Sequence, residues 1–312
     1  MKLGKRVLLF SLVFVCSAVM AWALGTGKND GYVQTFDNGE VNWQSGVITA
    51  VGIGAPPANA VNMAQARALA RRAAIVVARR NLLEIVKGVR IDSETTVQEY
   101  MVTSDIIRTS VSGYLQNSQI LDVAYMSDGS VEATVGVSLR GGLAKIVIPK
   151  TMPFKFEEPQ VVPEPEITTP APAPQPALPA PSEPVPALPA PTEPAPTPAQ
   201  IVTGLVVDAS GSGARPAMSP KIYDEQGTEV YGSALVSREY AIQQGMAGYA
   251  KDIEKATTRP RVTDKPLVVK ALSAKGKGMS DLVISNADAN TLRELAENQS
   301  FLEKCRVMIV LN

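Results

Sequence analysis

The sequence predicts an α+β protein: two small α+β domains joined by a proline-rich linker and preceded by an export signal. Three observations carry this prediction. The 312-residue chain opens with a basic stretch followed by an apolar run. Of its 24 prolines, 17 crowd into residues 151–200. On either side of that segment, alternating apolar runs are interleaved with helical stretches and glycine-containing turns. The expected boundaries are a signal peptide at 1–23, an N-terminal tail at 24–41, a first domain at 42–150, the linker at 151–200 and a second domain at 201–312.

The opening segment has the order of an export leader. Lys2, Lys5 and Arg6 precede the apolar stretch Val7–Val19, which only Ser11 and Ser17 interrupt. Ala21 and Ala23 then supply the two small residues that a signal peptidase needs, so cleavage is expected after Ala23. The apolar stretch extends at most to Leu24, the lower limit for a membrane span. Cys16 follows Val15, where lipidation calls for a small residue, and the apolar run continues past it. Cleavage leaves 27 basic and 30 acidic residues and one cysteine, Cys305, so the mature chain has no internal disulfide. An exported protein without disulfides depends on its cores. Cys305 opens the apolar run Val307–Leu311 and reads as a buried thiol.

Within the linker, Pro176–Val185 is nearly repeated by Pro186–Ala195. Proline fixes φ and lacks the backbone N–H, so this segment is expected to be an extended, polyproline-II-like spacer. At ~3.1 Å per residue its ~50 residues could reach ~150 Å. The linker pairs Lys155 with six glutamates, whereas residues 24–150 and 201–312 each carry a net charge of +1. Neither domain has the bulk positive charge that would point to nucleic acid.

In the first domain, β-branched residues in the run Val47–Ile53 predict a strand, ended by Gly54-Ala55-Pro56-Pro57. Ala60–Lys87 reads as one long helix with Gly88 as its C′ residue. By spacing, Leu69, Ala73, Val76 and Leu83 form its apolar stripe, flanked by alanines that allow close approach. Arg67, Arg71, Arg72, Arg79 and Arg80 scatter around the helix, which suits a solvated surface rather than a nucleic-acid face. A shorter helix is expected at about Val97–Ser112. A hairpin should join Ile120–Tyr125 to Val131–Leu139 through Ser127-Asp128-Gly129-Ser130. The domain is thus expected to be a small antiparallel sheet crossed by one long helix.

These residues carry a likeness. Val51-Gly52-Ile53-Gly54, the run from Ala64 to Ala74, Ala78-Arg79-Arg80-Asn81-Leu82-Leu83 and Val86-Lys87-Gly88-Val89 resemble the Lpp-twenty bacterial lipoprotein family. The same stretch is similar to the N-terminal domain of flagellar assembly protein T. The resemblance implies an envelope protein with no catalytic residues to carry over. It also implies, for many members, a lipidated cysteine at the mature terminus, from which the surroundings of Cys16 depart.

In the second domain, strands are expected at Ile201–Val207, Pro266–Leu272, Asp281–Ser285 and Arg306–Leu311. A hairpin around Gln226-Gly227 should span Pro220–Tyr231, and helices should cover Val236–Ala250 and Asn286–Asn298. This half resembles that of other uncharacterised bacterial envelope proteins, a likeness that assigns no activity. Asp208, Ser210 and Ser212 match the D-x-S-x-S loop of metal-dependent adhesion domains, but only 104 residues follow and their pattern is hairpin-like. An ordinary strand-to-loop turn accounts for them.

Composition narrows the chemistry. With no histidine, the chain has no Ser-His-Asp or Cys-His nucleophile and no His-ligated zinc. The function expected is non-enzymatic: assembly, scaffolding or binding in the periplasm or at the outer membrane, with flagellar or other trans-envelope machinery as one setting. The linker would hold two binding faces apart. Expected partners are cell-envelope proteins or peptidoglycan, with room for peripheral membrane association and no nucleic acid; no cofactor, metal or catalytic residue is assigned. The alternatives are a carboxylate-based glycan hydrolase, which needs two acids and no histidine, and a metal-dependent adhesion module built on Asp208.

Overall fold

A computed structural model describes residues 31–148, 153–155 and 201–312. The expected leader, with Cys16, Ala21 and Ala23, and most of the expected linker lie outside the described residues.

The first half is a five-stranded antiparallel sheet in the order β1-β2-β3-β5-β4 with a long helix across one face. Its elements are β1 (Val33–Phe36), β2 (Gly39–Asn42), β3 (Val47–Gly54), α1 (Met63–Gly88), α2 (Val97–Thr103), α3 (Asp105–Gln116), β4 (Gln119–Tyr125), β5 (Val131–Ser138) and the short α4 (Ala144–Val147). The expected tail at 24–41 is corrected: β1 and β2 form a hairpin within residues 33–42, and Val41 is fully buried. Its turn, Asp37-Asn38, precedes Gly39 and lies between alternating strands. The 127–130 hairpin forms as expected, with Asp128 Oδ1 accepting from the Ser130 N–H at 2.9 Å.

Helix α1 turns its alanines inward. Ala66, Ala70, Ala74, Ala78 and Leu82 recur every fourth residue and are buried, whereas Leu69 is 41 % and Val76 61 % exposed. The stripe through Leu69, Ala73, Val76 and Leu83 is therefore corrected. The reason lies in β3: a Cβ on Gly52 would stand 2.1 Å from the Ala78 nitrogen, and one on Gly54 2.1 Å from the Ala70 oxygen. The helix and strand backbones nearly touch, and larger side chains on that face would hold them apart. The Asn81 amide donates to the Val51 carbonyl at 2.7 Å and fixes the register. Gly88 is the last helical residue rather than C′. Val89 is the extended cap, and its N–H donates to the Val86 carbonyl. The predicted single helix at 97–112 is broken at Ser104, whose hydroxyl caps α3, while Thr96 and Glu99 form a capping box on α2.

The second half contains β6 (Gly204–Asp208), β7 (Ile222–Tyr223), β8 (Glu229–Tyr231), α5 (Arg238–Gln244), β9 (Gly248–Ala250), α6 (Ile253–Thr257), β10 (Pro266–Lys275), β11 (Asp281–Ile284), α7 (Asn286–Asn298) and β12 (Val307–Val310). They build a seven-stranded mixed sheet ordered β8-β7-β11-β10-β6-β12-β9. The expected hairpin at 220–231 is present, but the centre is parallel: β6 pairs in parallel with β10 and β12, and β12 with β9. Central parallel strands are covered on both faces, which explains the unbroken apolar run in β12. Val206, Met308 and Val310 pack with Ala256 of α6 in one cluster, while Leu205, Val207, Val307 and Ile309 enter a larger core. The helix expected at 236–250 ends at Gly245, whose φ of 78° favours glycine, and β9 follows. Arg261 reinforces this corner, donating to the carbonyls of Gln244, Gly245 and Cys305.

The larger core does not stop at the boundary between the halves. Ile48, Leu82, Val135 and Leu143 of the first half share one cluster with Leu205, Tyr231, Tyr249 and Ile284 of the second. The two expected α+β domains are present, but they share this core, so the linker does not hold them apart. Ile148 is buried and its carbonyl accepts from Arg238; Lys155 docks beside Val236 and pairs with Glu303; the chain resumes with Val202 buried. The linker leaves and re-enters one body.

Candidate functional site

The seam between the halves is built from segments that hydrogen-bond across it. The Met218 N–H donates to the Arg90 carbonyl at 3.0 Å, Ser219 N–H to Ile91 at 2.7 Å and Gly278 N–H to Ser93 at 2.6 Å. The Ser93 hydroxyl donates to Asp281 Oδ2 at 2.6 Å, and Asp281 Oδ1 accepts from the Lys221 N–H at 3.0 Å. Burial raises the Asp281 carboxyl above the usual range, against the downward pull of Ser93 and Lys221. Nearby, Trp43 meets Tyr249 edge to face, with ring centroids 5.5 Å apart. The Tyr249 hydroxyl is fully engaged, accepting from the Ala217 N–H and donating to the Ala217 carbonyl.

Two recesses flank Trp43. One, of about 30 Å³, has room for little more than a water; Arg140 lines it and donates to the Gln44 carbonyl at 2.7 Å. The other is a cleft of about 310 Å³, at the lower end of the ~300–1,000 Å³ typical of small-molecule sites. It is lined by Tyr32, Gln34, Trp43, Gly88, Arg90, Arg215 and Pro216. Arg90 follows the end of α1, bridges to Thr96 and lies so close to Gly278 that a Cβ there would stand 2.4 Å from its Nη1. Arg215 is held by its N–H, which donates to the Met279 carbonyl at 2.8 Å. Gln34 Oε1 accepts weakly from the Trp43 indole at 3.4 Å, which aims its amide nitrogen elsewhere. Among the described residues, neither guanidinium has a hydrogen bond or ion pair, and no carboxylate lines the cleft. Arginines elsewhere show the contrast: Arg293 pairs with Asp224 at 2.6 Å, and Arg261 is satisfied by three carbonyls.

Other residues singled out from the sequence fall away from this cleft. Asp208 ends β6, and its Oδ1 accepts from the Ser210 N–H at 3.0 Å, while the Ser212 hydroxyl donates to the Ala209 carbonyl at 2.6 Å. These oxygens are folded into a local turn, and no group of acidic or sulfur side chains suited to a metal occurs among the described residues. Cys305 is wholly buried, and burial pushes its thiol up to about 11. On α1, Arg67, Arg71, Arg72 and Arg80 are exposed, and Arg79 donates to the Ser118 hydroxyl at 3.2 Å. No helix among the described residues is long and apolar enough to cross a membrane. The sequence held no local signal for Arg90 and Arg215, because their meeting depends on how the two halves dock.

The two halves match different families. Residues 44–138 match the model of LPP20 lipoprotein, and residues 204–312 match that of the second domain of Treponema pallidum Tp0624. No curated protein matches the chain. The first match agrees with the resemblance carried by α1 and β3, and it supports an exported, envelope-associated, lipoprotein-like protein. The second spans the whole mixed-sheet half.

Proposed function

We propose that this chain is a non-enzymatic assembly or scaffold protein of the cell envelope, acting in the periplasm or at the outer membrane. The match of the first half to LPP20 lipoprotein carries this reading. The shared core refines it: recognition would belong to one body with a common seam, not to two faces held at a distance. The linker would then be an excursion from that body, available to a partner without altering the spacing of the halves. A place near trans-envelope machinery such as the flagellar base is the finer form of the same proposal. The likeness of the first half to flagellar assembly protein T motivates it.

A hydrolase built on paired acids finds little support in the described residues. Asp281, the acid with the raised carboxyl, is 5 % exposed and bonded on both oxygens, out of reach of a glycan. Cross-linking in intact cells followed by identification of the captured proteins tests the proposal, alongside a glycan-turnover assay on the mature chain. Reproducible capture of envelope components without turnover is expected. Turnover abolished by a single carboxylate replacement, or partners drawn only from the cytosol, would overturn it.

A further inference from the structure

We propose that the cleft at the seam binds a phosphate group between the guanidinium groups of Arg90 and Arg215. This goes beyond the scaffold role and stands without it. The two arginines come from opposite halves and line one recess, with no acid among its lining residues and no hydrogen bond or ion pair to either guanidinium among the described residues. An arginine fork matches the edges of a phosphate with two parallel N–H···O bonds. Charge favours phosphate over carboxylate: a phosphomonoester carries about −1.5 to −2 at neutral pH and balances both cations, whereas a carboxylate balances one. Gln34 and Tyr32, which carry an amide and a hydroxyl, line the same recess. Trp43 and Pro216 supply an apolar side that would take a small organic group.

The site is also held before any ligand arrives. The Arg90 carbonyl accepts from the Met218 N–H across the seam, and the Arg215 N–H donates to the Met279 carbonyl within the second half, so the backbone of both arginines is tied down. Pre-organisation of this kind lowers the ordering cost of binding. A free phosphorylated molecule and a phospholipid headgroup present the same chemistry, and the test separates them.

The experiment is calorimetry on the mature full chain, with Trp43 emission as a second readout. The probes are inorganic phosphate, glycerol 3-phosphate, acetate, and vesicles of phosphatidylcholine with or without phosphatidic acid. Saturable binding of glycerol 3-phosphate is expected, weakened at least tenfold by Arg90→Gln or Arg215→Gln and unchanged by Arg71→Gln on the exposed face of α1. Binding confined to phosphatidic acid vesicles, with the same response to the Gln variants, would assign the headgroup as the source and uphold the site. Far-UV circular dichroism identical to wild type shows that each variant folds. Acetate binding as tightly as the phosphates, affinity indifferent to both Gln variants, or no binding of any probe would overturn the proposal.

Discussion

Ser93→Ala removes one hydroxyl from the first half and should destabilise the whole molecule. That hydroxyl donates at 2.6 Å to Asp281, 188 residues away in the second half, and both residues are buried, at 6 % and 5 % exposure. A hydrogen bond to a charged group contributes about 1.5–3 kcal/mol, so the variant should lose about 2 kcal/mol. Asp281→Asn should be far milder at neutral pH. Its amide oxygen can keep the Lys221 N–H, its NH₂ can donate to a rotated Ser93 hydroxyl, and the desolvated charge is gone. The pH dependence follows from the direction of the shift. Because the folded carboxyl titrates above its unfolded value of about 3.9, the native state holds the extra proton between the two. Stability should therefore fall as pH rises from about 4 through the folded value and level off above it, and Asp281→Asn should remove that decline. The assay is urea unfolding of residues 24–312, in which Trp43 is the one tryptophan, followed by far-UV circular dichroism and by Trp43 emission. Both probes should move together, with the midpoint of Ser93→Ala displaced. A loss below about 0.5 kcal/mol, or separate transitions for the two probes, would refute the reasoning.

Gly52→Ala should cost about 3 kcal/mol, because the new methyl meets the backbone of α1 on two sides and no side chain can yield; denaturant midpoints measure it. Val76→Ser, on the outward face of the same helix, should stay within about 0.5 kcal/mol by the same measurement. Arg261→Ala leaves three carbonyls at the end of α5 and before β12 without their donor and should lose about 2–4 kcal/mol in thermal or urea unfolding. Cys305, buried and with its thiol pushed up to about 11, should resist thiol reagents at pH 8 in the native protein and react at once in urea, as mass shifts will show.

Local chemistry was legible in the sequence. Asp128-Gly129 announced its hairpin, the span of α1 was readable to within a few residues, and the apolar run ending at Leu311 announced a buried strand. What escaped depends on pairs of distant elements. The inward face of α1 could not be chosen by hydrophobicity, since its alanines are buried only because Gly52 and Gly54 admit them. The parallel pairing of β6 with β10 and β12 joins segments separated by most of the second half, so adjacency suggested hairpins instead. The hairpin of β1 and β2 is a different case. Its Asp37-Asn38-Gly39 turn was visible, but the short flanking strands carry few apolar residues. Arg90 and Arg215 meet only through docking of the halves, and no spacing rule reaches across a linker.

The central claim is that both halves form one body. A protease site inserted within residues 160–190, cut to completion in the purified protein, tests it by gel filtration at micromolar concentration. The two fragments should elute together at the volume of the uncut protein and melt in a single transition. Fragments that elute apart, each keeping its own secondary structure, would contradict the account.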